Sequence, residues 1–252
     1  MKQNKAQSTL VFCLGILLAG LLIQAVGWLK GDRLVFPGVR EILRAFLRLL
    51  GQEKTWRQIG TTLGHLLEAT LLSTVAGIGI GLAEGRWEWF HTLLRPLMIL
   101  LRSIPMIVMT VIVMVLTKYD RVPLIASSLI LIPMIGEAAC EGCRRIDPEL
   151  IDVYRLNSGF TARILLRVYL PLMAGYLKQA YINAAGMGLK LVVSTEYLVQ
   201  TRDSLGKAIN SSSYFNEYQD IYAYALIMIV LILAVSELPL ALGRLLGRRA
   251  GR

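Results

Sequence analysis

Apolar runs of membrane length recur along this chain, separated by short polar stretches. Read by hydropathy and length, they predict six helices: Leu10–Leu29, Thr62–Ala83, Leu93–Leu116, Val122–Glu141, Leu177–Val199 and Ile221–Leu242. Each is long enough to cross a hydrocarbon core of about 30 Å. Continuous apolar runs exclude the alternating pattern of a membrane barrel, and only helices or barrels satisfy the backbone in lipid. The first run is too long, and too closely followed by others, for a cleaved signal peptide. Between the first two runs, Arg40 to Leu50 has the periodicity of an amphipathic helix and is expected to lie flat at the interface, its arginines among headgroups. The expectation is an all-α, polytopic membrane bundle of about six transmembrane helices. Its organisation is residues 1–57 (first span and interfacial helix), 58–243 (the main bundle) and 244–252 (a basic tail).

The polar stretch from Arg144 to Pro171, RRIDPELIDVYRLNSGFTARILLRVYLP, has a different character. It is too long for a tight turn and too regular for an unstructured loop. Asp147 can cap a helix that Pro148 opens, because the first-turn N–H of a helix is unpaired anyway. Leu150, Ile151, Tyr154 and Leu156 follow at near-helical spacing, and Asn157-Ser158-Gly159 stops the run. A second amphipathic piece, Arg163 to Tyr169, leads into the next span. A helix–turn–helix held between two spans is a docking surface for a soluble partner.

Composition agrees with the membrane reading. The 252 residues are 55% hydrophobic, with mean hydropathy +0.57, above the apolar share of ordinary soluble domains. The net charge of +10 raises a nucleic-acid reading, but the cations sit in loops and tails. Lys2, Lys5, Arg86, Arg95, Arg144, Arg145, Arg155, Arg163, Arg167, Arg244, Arg248, Arg249 and Arg252 share one side if both termini are cytoplasmic. Arg33, Arg40, Arg44, Arg48, Lys54 and Arg57 fall on the other. Cys13, Cys140 and Cys143 form no disulfide framework. Cys140-x-x-Cys143 lacks two further ligands, and His65 and His91 lack Cys, Asp or Glu at ligand spacing, so no metal site is expected.

Ionisable groups inside spans are costly and mark function by default. Arg102 and Ser103 precede Pro105, which bends the third span. Arg102 is a candidate substrate contact, or a structural partner of Glu68 or Glu137. Lys190, Ser194 and Glu196 share the fifth span. Lys190 and Ser194 have the spacing of a Ser–Lys dyad, but no oxyanion motif or nucleophile elbow accompanies them. Met98, Met106, Met109, Met114 and Met134 fill gaps between helices or form an adaptable wall. Arg102, Ser103, Met106, Met109, Lys190, Ser194 and Glu196 are the candidate lining of a translocation pathway. Gly77, Gly81 and Gly85, four apart, predict a close helix crossing; a dinucleotide fingerprint is rejected because no strand precedes them.

The polar stretch resembles the coupling (EAA) loop of ATP-binding-cassette importer permeases. Counted back from Val168-Tyr169-Leu170-Pro171, the loop's Gly falls on Ser158, its Glu on Asp152, and Val153-Tyr154 stand for its two alanines. Phe36-Pro37-Gly38-Val39, Gly77 to Gly81, Leu101 to Pro105, and Glu196 followed by Leu205-Gly206 are similar to permeases of the nitrate, sulfonate and taurine subfamily. His65 stands where that group usually has Arg, and Glu68 where an apolar residue is usual. The resemblance implies a type I importer fold and a homodimeric pore. It implies ATPase coupling through Asp147, Pro148, Leu150, Ile151, Asp152, Tyr154, Arg155, Ser158 and Gly159.

The implied partners are an ABC ATPase in two copies, an extracytoplasmic substrate-binding protein and a second permease copy. The place is the bacterial plasma membrane, with both termini cytoplasmic and no nucleic acid bound. The solute would be a sulfonate, taurine or nitrate-like anion, or a pyrimidine or vitamin precursor. No G-x-x-x-x-G-K-[ST] loop is present, so the expectation is no cofactor on this chain, ATP bound by the partner, and no enzymatic activity. A membrane-embedded enzyme would need a paired nucleophile and base, and an ion channel a filter ring; neither pattern is visible.

Overall fold

The structure, a computed structural model, describes residues 35–147 and 168–250, with side chains as far as Ser236. The predicted first span lies outside these residues. So does the coupling segment from Pro148 onward.

The described elements are α1 (Val39–Leu50), α2 (Glu53–Arg86), α3 (Glu88–Ser103), α4 (Met106–Leu116), a 3₁₀ turn (Tyr119–Arg121), α5 (Val122–Arg144), α6 (Leu170–Val199), α7 (Leu205–Tyr214) and α8 (Tyr218–Ala250). Three of them are long and apolar enough to cross a membrane, or four if the bent pair α3–α4 counts as one span. Five of the six expected spans fall on described residues, and this coarser count stands against those five. α6 has the length but not the composition: Lys178, Gln179, Asn183 and Lys190 interrupt it.

The third expected span, Leu93–Leu116, is not one helix. It breaks between Ser103 and Met106 with a bend of 104°. Pro105 has no N–H to give, and its ring drives Ile104 to an extended backbone (φ −68°, ψ 124°). Pro105 then serves as the N-cap of α4, its carbonyl accepting from Met109 N at 3.1 Å.

α1 forms as its periodicity predicts. Glu41 Oε2 accepts from Gly38 N at 3.0 Å, closing the first turn. Ile42, Ala45 and Leu49 make one buried face, which packs on α8. Arg40 and Arg44 remain exposed, and Arg48 pairs with Asp220 at the start of α8.

The centre of the bundle is the α2–α5 pair, with α6 laid against α5. α2 buries a stripe from Thr55 through Ile59, Thr62, Leu66, Ala69, Ser73, Gly77 and Gly81 to Glu84. Its glycines are needed for the approach. A Cβ on Gly81 would stand 2.2 Å from the Gly136 carbonyl oxygen and 2.7 Å from Ala139 Cβ; one on Gly77 would stand 3.0 Å from Ile135 Cβ. One on Gly85 would meet Cys143 Cβ at 2.7 Å. Polar clasps reinforce the crossing. Ser73 Oγ donates to Ala69 O at 2.7 Å and lies 3.3 Å from Ser128 O, and Ser128 Oγ lies 3.3 Å from Ala69 O. Such bonds satisfy hydroxyls that lipid cannot.

Beyond Val199 the chain turns sharply. Gln200 and Asp203 take left-handed backbone (φ 56° and 51°). Ser204 then caps α7, its Oγ accepting from Lys207 N at 3.2 Å. α7 packs back on α6 and α8, completing a core of Leu49, Ile59, Leu66, Leu189, Val192, Leu205, Tyr224 and their neighbours. A second cluster, Ala139, Cys143, Ile146, Tyr169, Met173 and Leu177, joins the far ends of α5 and α6. α8 continues as one helix to Ala250, through the residues expected to be a basic tail.

Candidate functional site

Among the described residues, three sets of polar groups bear on the candidate site, placed by different elements. The first is sealed inside. Glu196, in the last turn of α6, is 0% exposed. Its Oε2 accepts from Thr62 Oγ1 at 2.8 Å and from Gly206 N at 3.2 Å. Its Oε1 lies 2.8 Å from His65 Nδ1. Thr62 Oγ1 in turn accepts from Leu205 N at 3.0 Å. The carboxylate thus gathers α2 and α6 around the otherwise unpaired first-turn N–H groups of α7, where the helix dipole also favours it. Gly206 permits this, since a Cβ there would lie 2.4 Å from Glu196 Cβ. Glu196 therefore sits inside the bundle, away from the exposed face of α6. His65, at the position noted for its departure from the subfamily pattern, supplies one of its partners.

The second set is exposed. Lys190 and Ser194 lie on the open face of α6, in register with Gln179 and Asn183. Gln179 Nε2 donates to Asn183 Oδ1 at 3.3 Å. The four positions are separated by four, seven and four residues, which places them along one side of a helix. Gln179 and Asn183 were missed from sequence, although their spacing from Lys190 carried the signal.

The third set lies around the α2–α3 turn. A cavity of about 430 Å³ is lined by Glu84, His91, Arg95, Arg102, Glu137, Cys140, Arg144 and neighbours. Arg102 pairs with Glu137 across it, resolving the two expected partners in favour of Glu137; Glu68 instead lies 3.7 Å from Arg121. Ser103 Oγ is occupied with Ile99 O at 2.8 Å. Met106 is half-buried between two apolar clusters, while Met109 is buried in one of them with Val113, Val122 and Ala126. The bend at Pro105 thus turns Met109 inward against α5.

Glu84, His91 and Cys140 converge on the same cavity, with one ligand atom of each within 4.8 Å of the others. No metal site was expected, because Cys140-x-x-Cys143 lacks two further ligands and the two histidines have no Cys, Asp or Glu at ligand spacing. Cys143 does not join them: its Sγ packs toward Gly85. Of the nine expected coupling residues, only Asp147 is described; Pro148, Leu150, Ile151, Asp152, Tyr154, Arg155, Ser158 and Gly159 lie outside the described residues.

Long apolar helices with buried hydroxyl clasps and one polar stripe define a polytopic helical membrane protein. The chain belongs to the family of binding-protein-dependent transport system inner membrane components, whose family model matches residues 73–252. No curated protein sequence matches it closely. Thirteen chains of solved structures are similar. One is a chain of the MetNI methionine ABC transporter in inward-facing conformations, at 18% identity and TM-score 0.61, covering 75% of this chain and 94% of that one. At that identity the likeness speaks for the fold.

Family membership bears out the coarse expectations. The chain is the permease component of a binding-protein-dependent ABC transport system, a multi-pass protein of the inner membrane. Its partners are an ATPase subunit and a substrate-binding protein. ATP hydrolysis belongs to the separate subunit, and this chain is not an enzyme.

Proposed function

We propose that two copies of this chain form the pore of a type I importer, with the polar face of α6 lining the path of a small anionic solute. The observation that carries the reading is the exposed row Gln179, Asn183, Lys190 and Ser194 on a helix of a membrane bundle. A lysine turned toward hydrocarbon at the middle of a span costs about 3 kcal/mol or more. The row is therefore expected to face water or a second copy. Two-fold symmetry would bring two such faces together around one cavity. Lys190 favours an anion, in keeping with the resemblance to nitrate, sulfonate and taurine permeases; a pyrimidine or vitamin precursor is the alternative cargo.

In this reading a substrate-binding protein delivers the solute from outside. Two ATPase copies grip the segment Asp147–Gly159, and both termini are cytoplasmic. Closure of the ATPases tilts the helices and exposes the cavity to alternate sides. Arg102 acts beside the path through its pairing with Glu137.

The test is uptake into proteoliposomes holding the chain, its ATPase and the binding protein. Uptake should require all three and ATP. In a cysteine-free background, Gln179→Cys, Asn183→Cys and Ser194→Cys should each pass solute until a charged thiol reagent is added, and then stop. Uptake indifferent to modification at all three positions would remove the α6 face from the pathway. Uptake without the ATPase would end the importer reading.

A further inference from the structure

We propose that Glu84, His91 and Cys140 form a binding site for a zinc-class divalent cation that pins the α2–α3 turn to α5. The three residues come from three helices. Glu84 is in the last turn of α2, His91 in the first turn of α3, and Cys140 lies on the face of α5 that α2 contacts. A single extended residue, Trp87, separates α2 from α3, so His91 folds back over Glu84. The glycine crossing does the rest: a Cβ on Gly81 would stand 3.0 Å from Cys140 N, which leaves Cys140 close to the end of α2.

Two independent observations point to a ligand. The first is geometric: one ligand atom from each residue lies within 4.8 Å of the others, with His91 Nδ1 4.0 Å from a Glu84 oxygen. The second is unmet polarity. The Glu84 side chain is 7% exposed, yet its Oε1 has no hydrogen-bond partner, and neither has His91 Nδ1. A buried carboxylate oxygen without a partner is costly. A cation seated between them would answer both atoms at once.

The donor set selects the metal. Imidazole, thiolate and carboxylate together are zinc ligands, whereas magnesium and calcium require oxygen shells. Zinc–ligand bonds of about 2.0–2.3 Å require the three atoms to draw in by up to about 1 Å. Rotation of the Glu84 and His91 side chains supplies this. The fourth position opens on the cavity, where water is at hand. The cations around the cavity are largely answered. Arg102 pairs with Glu137, and Arg144 lies 3.6 Å from Glu88; Arg95 is the third. Occupancy would join three helices at one end of the bundle.

The experiment uses the full chain in nanodiscs with Cys13→Ser and Cys143→Ser, which leaves Cys140 as the sole thiol. Zinc chloride should slow alkylation of Cys140 at least tenfold, and magnesium chloride should leave it unchanged. Cobalt(II) should bind one per chain with a thiolate charge-transfer band that zinc removes. His91→Ala and Glu84→Gln should each weaken cobalt binding at least tenfold. The protection measurement keeps all three ligands, so it stands whether or not the ligand variants fold. Unchanged alkylation in zinc overturns the proposal. So does zinc protection that survives His91→Ala.

Discussion

Replacing Glu196 with Ala should be among the most destabilising single changes in this protein. The side chain is 0% exposed and receives three groups from three directions: Thr62 Oγ1 at 2.8 Å, His65 Nδ1 at 2.8 Å and Gly206 N at 3.2 Å. Alanine leaves these groups without their acceptor. Thr62 is 0% exposed and Gly206 is buried, so neither recovers the loss from water. A buried donor stranded in this way costs about 1–3 kcal/mol. The His65 side chain is 17% exposed and can turn partly to solvent, so its share lies at the low end. The sum is about 3–7 kcal/mol on this basis. Glu196→Gln keeps the shape and one carbonyl oxygen but brings an NH₂ into a shell of donors, so about half that loss is expected.

Thermal unfolding of the purified chain in nanodiscs checks the order: Glu196→Ala below Glu196→Gln below wild type. Hydrogen exchange at the Leu205 and Gly206 amides should rise in the same order, because the start of α7 loses its anchor. Ser194→Ala, on the exposed side of α6, is the control. If Glu196→Ala melts with Ser194→Ala and leaves the α7 amides protected, the carboxylate does not hold α7 and the reasoning fails.

The other predictions concern different parts of the bundle. Gly81→Ala should cost about 1–3 kcal/mol by overpacking, since its Cβ meets backbone at 2.2 Å, while Gly79→Ala, with nothing within 4 Å, should be neutral or slightly stabilising; equal melting points would deny the close crossing. Arg102→Ala and Glu137→Ala should each change stability by no more than about 1 kcal/mol, because the side chains are 43% and 67% exposed; both should slow uptake, and the double variant should be no worse than the poorer single one. Asp152→Lys should leave insertion intact but separate ATP hydrolysis from uptake in the reconstituted complex. Uptake that stays coupled would remove Asp152 from the ATPase contact.

Much of the helical pattern was legible in the sequence, for identifiable reasons. Hydropathy placed α2, α5 and α8, and the four-residue glycine spacing named positions that do stand against α5. The amphipathic periodicity of Arg40 to Leu50 foretold α1, but not that its buried face of Ile42, Ala45 and Leu49 would find α8. Pro105 announced a bend; its size depends on how α4 packs Met109 and Val113 against Val122 and Ala126, which no local pattern encodes. The polar residues were harder. Hydropathy counts a charge within a span but does not say which way it turns, so Lys190 and Glu196 read alike though one is exposed and the other sealed. Glu84, His91 and Cys140 meet only because a glycine face draws two helices together, a tertiary effect invisible to ligand spacing.

The length of α2 bears on how force passes through this molecule. Its 34 residues make a rod of about 50 Å, longer than the roughly 30 Å apolar slab it crosses. One tip carries Glu84; nearer the other, Thr62 and His65 clasp Glu196 and the start of α7. Along its length the glycine and serine contacts weld it to α5, so the pair behaves as a single beam. The α3–α4 segment is attached more loosely, joined to α2 through the single extended residue Trp87 and bent at Pro105. A push delivered at one membrane surface would travel along the beam and reach the opposite surface as tilt, while the jointed segment takes up the slack.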